Sequence, residues 1–147
     1  KERQPLAQEA KAYVKSYCRK KQEIYLDIHG EDKYGRLLAD VWSETEDGHY
    51  VNVNEGVVSA GLASVYLASK DDKPKNLQKL LDLQKQARER GLGIWMDFED
   101  RNVVATAYGT AFHEPICRHL AHSRNTRILK MSKAMDQGLH PCRTCMA

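Results

Sequence analysis

An α+β fold closed by a small metal-stapled module is what this sequence predicts, and three observations predict it. Apolar residues recur at helical spacing over the first stretch, then switch to a period of two at Glu23. A second helical pattern, Leu77 to Arg88, stands well apart from those strand signals. Three of the four cysteines, Cys117, Cys142 and Cys145, gather behind the last strong helix, where a short tail needs a staple.

Leu6, Ala10, Tyr13, Val14, Tyr17 and Cys18 give an amphipathic helix over roughly residues 6–20, with Lys15, Arg19, Lys20 and Lys21 favouring its negative C-terminal end. Cys18, alone on that helix, reads as a small buried hydrophobe. Ile24, Leu26 and Ile28 alternate with Tyr25, Asp27 and His29, which predicts a strand with one buried face. Gly30 to Gly35 make a polar turn, and Arg36–Trp42 is the returning strand. Asp47-Gly48 predicts a hairpin into a third strand near His49–Val53. Asn54 is placed to cap a short helix that Gly61 ends. The charged stretch Lys70–Lys75, with Pro74, reads as a loop, and Gly91 stops the helix from Leu77.

Gly93-Ile94-Trp95 presents an aromatic to the body, and the acidic stretch 96–102 marks a boundary, giving a body of residues 1–98 and a tail of 99–147 with its own core. Val103–Ala107 and Thr110–His113 read as a hairpin turning at Tyr108-Gly109, followed by a short helix near Met131–Gln137, a ββα-type module.

The chain has 147 residues, 41% of them apolar and 29% charged, the balance of a globular chain. No apolar run approaches the roughly 18 residues of a membrane span. The net charge of +3 is uneven. Residues 101–147 carry seven Lys/Arg against only Glu114 and Asp136, so a polyanionic partner competes with a merely solvated surface as explanation. Residue 1 is Lys with no signal-peptide pattern after it, so the chain is expected to start inside a longer protein.

Asp32-Lys33-Tyr34-Gly35-Arg36 places two cations and an aromatic where a tight turn meets a strand. A guanidinium so anchored can grip two phosphate oxygens at once and stabilise charge developing on them. Taken alone, such a turn is usually only a charged hairpin. Its surroundings add to it. Helix, strand, Asp-Lys-Tyr-Gly-Arg-Leu-Leu-Ala (residues 32–39), hairpin, Val53-Asn54-Glu55, Gly61-Leu62-Ala63, long helix and Gly93-Ile94-Trp95 resemble the staphylococcal nuclease (thermonuclease) family from about Gln4 to Trp95.

The resemblance implies an OB-type barrel with flanking helices and calcium-assisted hydrolysis of DNA or RNA phosphodiesters. It implies Arg36 as one of two catalytic arginines, with Lys33 and Tyr34 at the phosphates and, more loosely, Tyr66 as a substrate contact. It also leans towards a secreted or periplasmic compartment. The family's first strands, calcium-binding aspartates, other arginine and catalytic glutamate precede its first helix. Here only Lys1–Pro5 precede it; Glu2 falls near the glutamate's place without the Asp-x-Pro-Glu context. A partial OB-fold is therefore expected, with an upstream segment or a second chain supplying the remaining strands and the calcium ligands.

His113-x3-Cys117 and Cys142-x2-Cys145 form two ligand pairs separated by 24 residues, a set suited to tetrahedral zinc. The alternatives are a Cys142–Cys145 disulfide or redox pair, or a ligand role for His119, His122 or His140 in place of His113. Tyr108-Gly109-Thr110, His113, Cys117-Arg118 and Gly138 to Cys145 resemble the metal-binding module of Ada-type DNA-repair proteins, with His113 where that family has a cysteine. The resemblance implies structural zinc. A nuclease is the leading functional expectation; a non-catalytic nucleic-acid-binding scaffold and a DNA-repair metal module are the alternatives.

Overall fold

The first helix, α1 (Ala7–Tyr17), gives way at Lys21, which takes a left-handed conformation, to a hairpin of β1 (Ile24–Glu31) and β2 (Leu37–Glu44). The computed structural model describes residues 6–71 and 73–146, so Glu2 lies outside the described residues. After a turn at Asp47-Gly48, β3 (Tyr50–Asn52) pairs with β2, and the three strands form an antiparallel sheet in the order β1-β2-β3. Helix α2 (Val53–Ser59) is capped by Asn52, whose side chain accepts from the Glu55 amide at 3.0 Å. Asn54, the expected cap, does other work. It accepts from the Val41 amide and donates to the Ala39 carbonyl, both at 3.0 Å, and so ties α2 to β2.

The alternation in β1 predicts a buried face, and the structure corrects that expectation. All eight residues of β1 are exposed, Ile24, Leu26 and Ile28 at 41%, 46% and 53%, and Leu37 and Leu38 of β2 are exposed as well. Alternation sorts side chains onto two faces, but burial needs a second layer. Among the described residues, helices reach only part of this sheet. Cys18 is likewise not a core residue: it is half-buried, at the C-cap of α1.

Helix α3 (Leu77–Glu89) touches two cores. Towards the body, its Leu81 packs with Val58 and Val65. At its far end Ala87 joins Trp95, Val103, Phe112, Ala134 and Met135. Trp95 is delivered there by a backbone crossing in which the Ile94 amide donates to the Gly61 carbonyl at 2.8 Å. Gly61 and Gly93 both have positive φ, and a Cβ on either would collide with the other segment's backbone, so only glycine permits the approach.

The remaining strands are β4 (Asn102–Thr106), β5 (Ala111–His113), β6 (Thr126–Lys130) and β7 (His140–Pro141), with helix α4 (Met131–Asp136) between the last two. Their sheet runs β6-β4-β5-β7, antiparallel except for the β5–β7 pair. The ββα expectation thus gains two strands. Strand β6 shows no alternation in its exposure, and β7 is two residues long and ends in proline, so neither carries a readable period. The expectation of separate cores also fails. The second core combines α3 with β4, β5 and α4, and Arg88, whose side chain is 5% exposed, bonds Asp136 at 2.8 Å.

Candidate functional site

The β1–β2 turn is organised by one carboxylate. Asp32 Oδ1 accepts the amides of Tyr34 (2.8 Å) and Arg36 (3.0 Å), and Oδ2 accepts Arg36 Nε at 2.6 Å. The Asp32 amide donates to the Arg36 carbonyl at 2.9 Å, the Gly35 amide to the Asp32 carbonyl at 3.0 Å, and Gly35 takes φ 74. The Arg36 amide, with help from the Tyr34 amide and the guanidinium, holds the Asp32 carboxyl below its ordinary 3.8 against the opposing effect of desolvation. Fixed at Nε, the Arg36 side chain still remains 75% exposed. Tyr34 is 72% exposed, with the Lys33 ammonium 5.0 Å and the Arg36 guanidinium carbon 5.4 Å from its ring centre. Lys33, Tyr34 and Arg36 therefore form one cationic, aromatic tip. Tyr66 is placed elsewhere, against His140 and Arg143 where body meets tail.

The second site is built by sheet pairing. His113 ends β5, and a turn closed by the Cys117 amide on the Glu114 carbonyl (3.0 Å) brings Cys117 beside it. Cys142 follows β7, with its amide on the Phe112 carbonyl at 2.9 Å, and the next turn returns Cys145. Ligand atoms of His113, Cys117, Cys142 and Cys145 all lie within 4.8 Å of one another, a group that could hold a metal ion.

The Thr144 amide donates to Cys142 Sγ and the Glu114 amide to Cys145 Sγ, each at 3.4 Å. Burial, helped by the neighbouring His119 and His140, pushes the His113 pKa down and favours the neutral, ligating imidazole. His113 Nδ1 is buried without a hydrogen-bond partner, a cost that a bound cation would remove. All four cysteines are free thiols, and Cys142 and Cys145 are not joined. Burial raises Cys145 to about 11. Burial also opposes ionisation of Cys142, but the Thr144 and Cys145 amides and the neighbouring thiols more than offset it and lower its pKa.

One group was not legible beforehand. Asp27 and Asp40 face each other across the β1–β2 ladder, and His29, at a register shift, bonds Asp40 at 2.7 Å. Potential ligand atoms of these three lie within 4.8 Å of one another. The hairpin register was the signal that could have paired them.

The sequence profile of the staphylococcal nuclease homologue family matches residues 1–97. The chain belongs to that family. A search of curated proteins finds no match. Membership gives the body a nuclease-like fold and ties the chain, at the level of the family, to nucleic-acid substrates. The matched stretch includes the Asp32–Arg36 turn and α3, and it stops before the sheet that carries His113. No helix among the described residues is long and apolar enough to cross a membrane.

Proposed function

We propose that this staphylococcal nuclease homologue takes part in metal-assisted hydrolysis of DNA or RNA phosphodiesters, with Arg36 at the scissile phosphate and Lys33 and Tyr34 beside it. The observation that carries the reading is the clamp of Asp32 on Arg36. One carboxylate fixes the arginine at its backbone amide and at Nε, while the side chain stays open to solvent. A guanidinium held in advance can bind a phosphate and bind it more tightly as charge spreads over the oxygens, without reorganising during the reaction. Lys33 adds a second cation, and Tyr34 a ring or hydroxyl for the nucleotide.

Calcium, when bound, would supply charge stabilisation at the phosphate. Asp32 is committed to the turn itself, with both oxygens bonded there. We infer that the carboxylates come with a segment or second chain that covers the exposed apolar face of β1 and β2, completing the barrel. The tail fits zinc: three thiols and a buried imidazole match its tetrahedral preference, and the ion would brace the second sheet rather than react. On this reading residues 99–147 form a structural module built against α3.

The test is turnover of a polynucleotide by the intact protein with calcium. Arg36→Lys keeps the charge but loses the fork, and turnover should fall by about two orders of magnitude with folding unchanged. Equal turnover by the lysine variant would remove Arg36 from the chemistry and leave a non-catalytic binding scaffold as the better reading.

A further inference from the structure

We propose that the junction between body and tail is a second nucleic-acid contact, a strip that binds single-stranded DNA or RNA by stacking and phosphate pairing. The proposal rests on the nucleic-acid reading above, but it uses none of the residues of the Arg36 turn.

The strip has two clusters of contacts that meet at the segment 107–110. The Arg143 guanidinium carbon lies 5.2 Å from the ring centre of Tyr66, and that ring lies 4.5 Å from the ring of His140. His140 is held to Thr110 twice, by its amide on the Thr110 carbonyl at 3.0 Å and by its Nε2 against Thr110 Oγ1 at 3.3 Å. Two residues before Thr110, Tyr108 stands 87% exposed on a turn. The ammonium of Lys70 lies 5.8 Å from the Tyr108 ring centre and is pinned by the Ala107 carbonyl at 2.7 Å. Body and tail each give one tyrosine and one cation: Tyr66 with Arg143, Tyr108 with Lys70.

The chemistry selects the ligand. Exposed rings interleaved with cations are what unpaired bases and their phosphates need: each base offers a face to stack, and each phosphate a partner for Lys or Arg. A duplex hides its base faces and gains only the charge term. An acidic peptide would use the cations and leave the rings idle. The cationic surplus of the tail favours a polyanion. Placement adds a functional sense: a strand held along this strip is tethered to the body whose turn carries Arg36.

The test is fluorescence anisotropy of the full chain with labelled oligothymidylate, oligouridylate of equal length, and a duplex. Tyr108→Ala should weaken single-strand binding by roughly tenfold, the scale of one lost base–aromatic stack. Tyr108→Phe, which keeps the ring, should bind as the parent does. Arg143→Gln should weaken binding and lower its salt dependence by about one phosphate contact. The relative affinities for the two oligonucleotides assign the strip to DNA or RNA.

Unchanged binding by Tyr108→Ala, or duplex bound as tightly as single strand, would overturn the strip. If that happens while Arg36→Lys still lowers turnover by about two orders of magnitude, the strip falls and the nuclease reading stands. If binding needs Tyr108 while Arg36→Lys leaves turnover intact, the nuclease reading falls and the strip stands. Tyr108 makes no core contact, and near-ultraviolet circular dichroism checks that its variants remain folded.

Discussion

Strands β1 and β4 show how differently the two halves of this molecule are held. Strand β1 is eight residues long, with alternating apolar side chains, and all of it is exposed; β4 is five residues, and its Val103, Val104 and Ala105 are all buried. The difference lies in what packs against each. The first sheet is joined by backbone ladders and by polar ties such as Asn54 on β2. The second has α3, Trp95 and α4 on one side and the Cys3His cluster among its turns. The hairpin presents Arg36 on a polar turn while the apolar residues of β1 stay exposed. The tail is closed by α3 and Trp95 of the body and carries a metal-ligand set.

Removing the metal should produce the largest effect on that contrast. Apparent binding energies for structural zinc in small folds are on the order of ten kcal/mol, so zinc in the Cys3His set, as proposed, would contribute heavily to the sheet around it. Cys142→Ala, or exhaustive chelation, should therefore unfold the second sheet. Because Trp95 and Ala87 share that core, it should also loosen the end of α3. In a Trp42→Phe background the emission of Trp95 should shift to the red as metal is withdrawn. Retention of the native Trp95 spectrum and of the thermal transition would show that the shared core stands without the cluster. Elemental analysis of the purified protein should return one zinc per chain.

That coupling marks the limit of what the sequence made legible. The helix ends at Gly61, Gly91 and Gly138, the Asp47-Gly48 turn and the His113 to Cys145 spacing are local chemical signals, and the corresponding elements and cluster are present. Asn52 displaced Asn54 as the cap because the helix begins two residues earlier, a difference within the usual reach of a boundary. The shared core had no such signal. Trp95 was expected to pack on the body, but it shares a core with Phe112 and Met135 of the tail, segments whose docking on α3 depends on tertiary geometry. Tyr66 had a similar fate: its neighbours His140 and Arg143 are far along the chain.

A smaller effect should come from the ion pair that joins the halves. Arg88 is almost fully buried and bonds Asp136. Asp136→Ala leaves that charge without its partner and should cost about 3–5 kcal/mol, the range for breaking a buried pair. Replacing both residues, as Arg88→Met with Asp136→Leu, should recover most of the loss, because it removes the desolvated charge together with its partner. Urea denaturation of the three proteins measures both differences. A double variant as unstable as Asp136→Ala would show that the guanidinium contributes through packing on Phe98 rather than through its charge.

The smallest expected effect sits at the exposed end of the comparison, in the turn that presents Arg36. Asp32 is titrated below its ordinary value mainly by the Arg36 amide, with the Tyr34 amide and the Arg36 guanidinium contributing and desolvation opposing. A carboxyl whose folded pKa is lowered stabilises the fold above its unfolded pKa and loses that contribution as pH falls through the folded value. The turn should therefore keep its hydrogen bonds through the neutral range and release them only below the usual carboxylate range. Protonating Asp32 weakens the clamp on Arg36 Nε, so phosphate binding at this tip should decline over the same interval. The amide resonances of Tyr34 and Arg36 report the event directly: they should move together, with a midpoint below 3.8, and Asp32→Asn should flatten both curves. A midpoint at or above the ordinary value would mean that Arg36 is not held in advance, and the argument that it is preorganised for a phosphate would lose its physical basis.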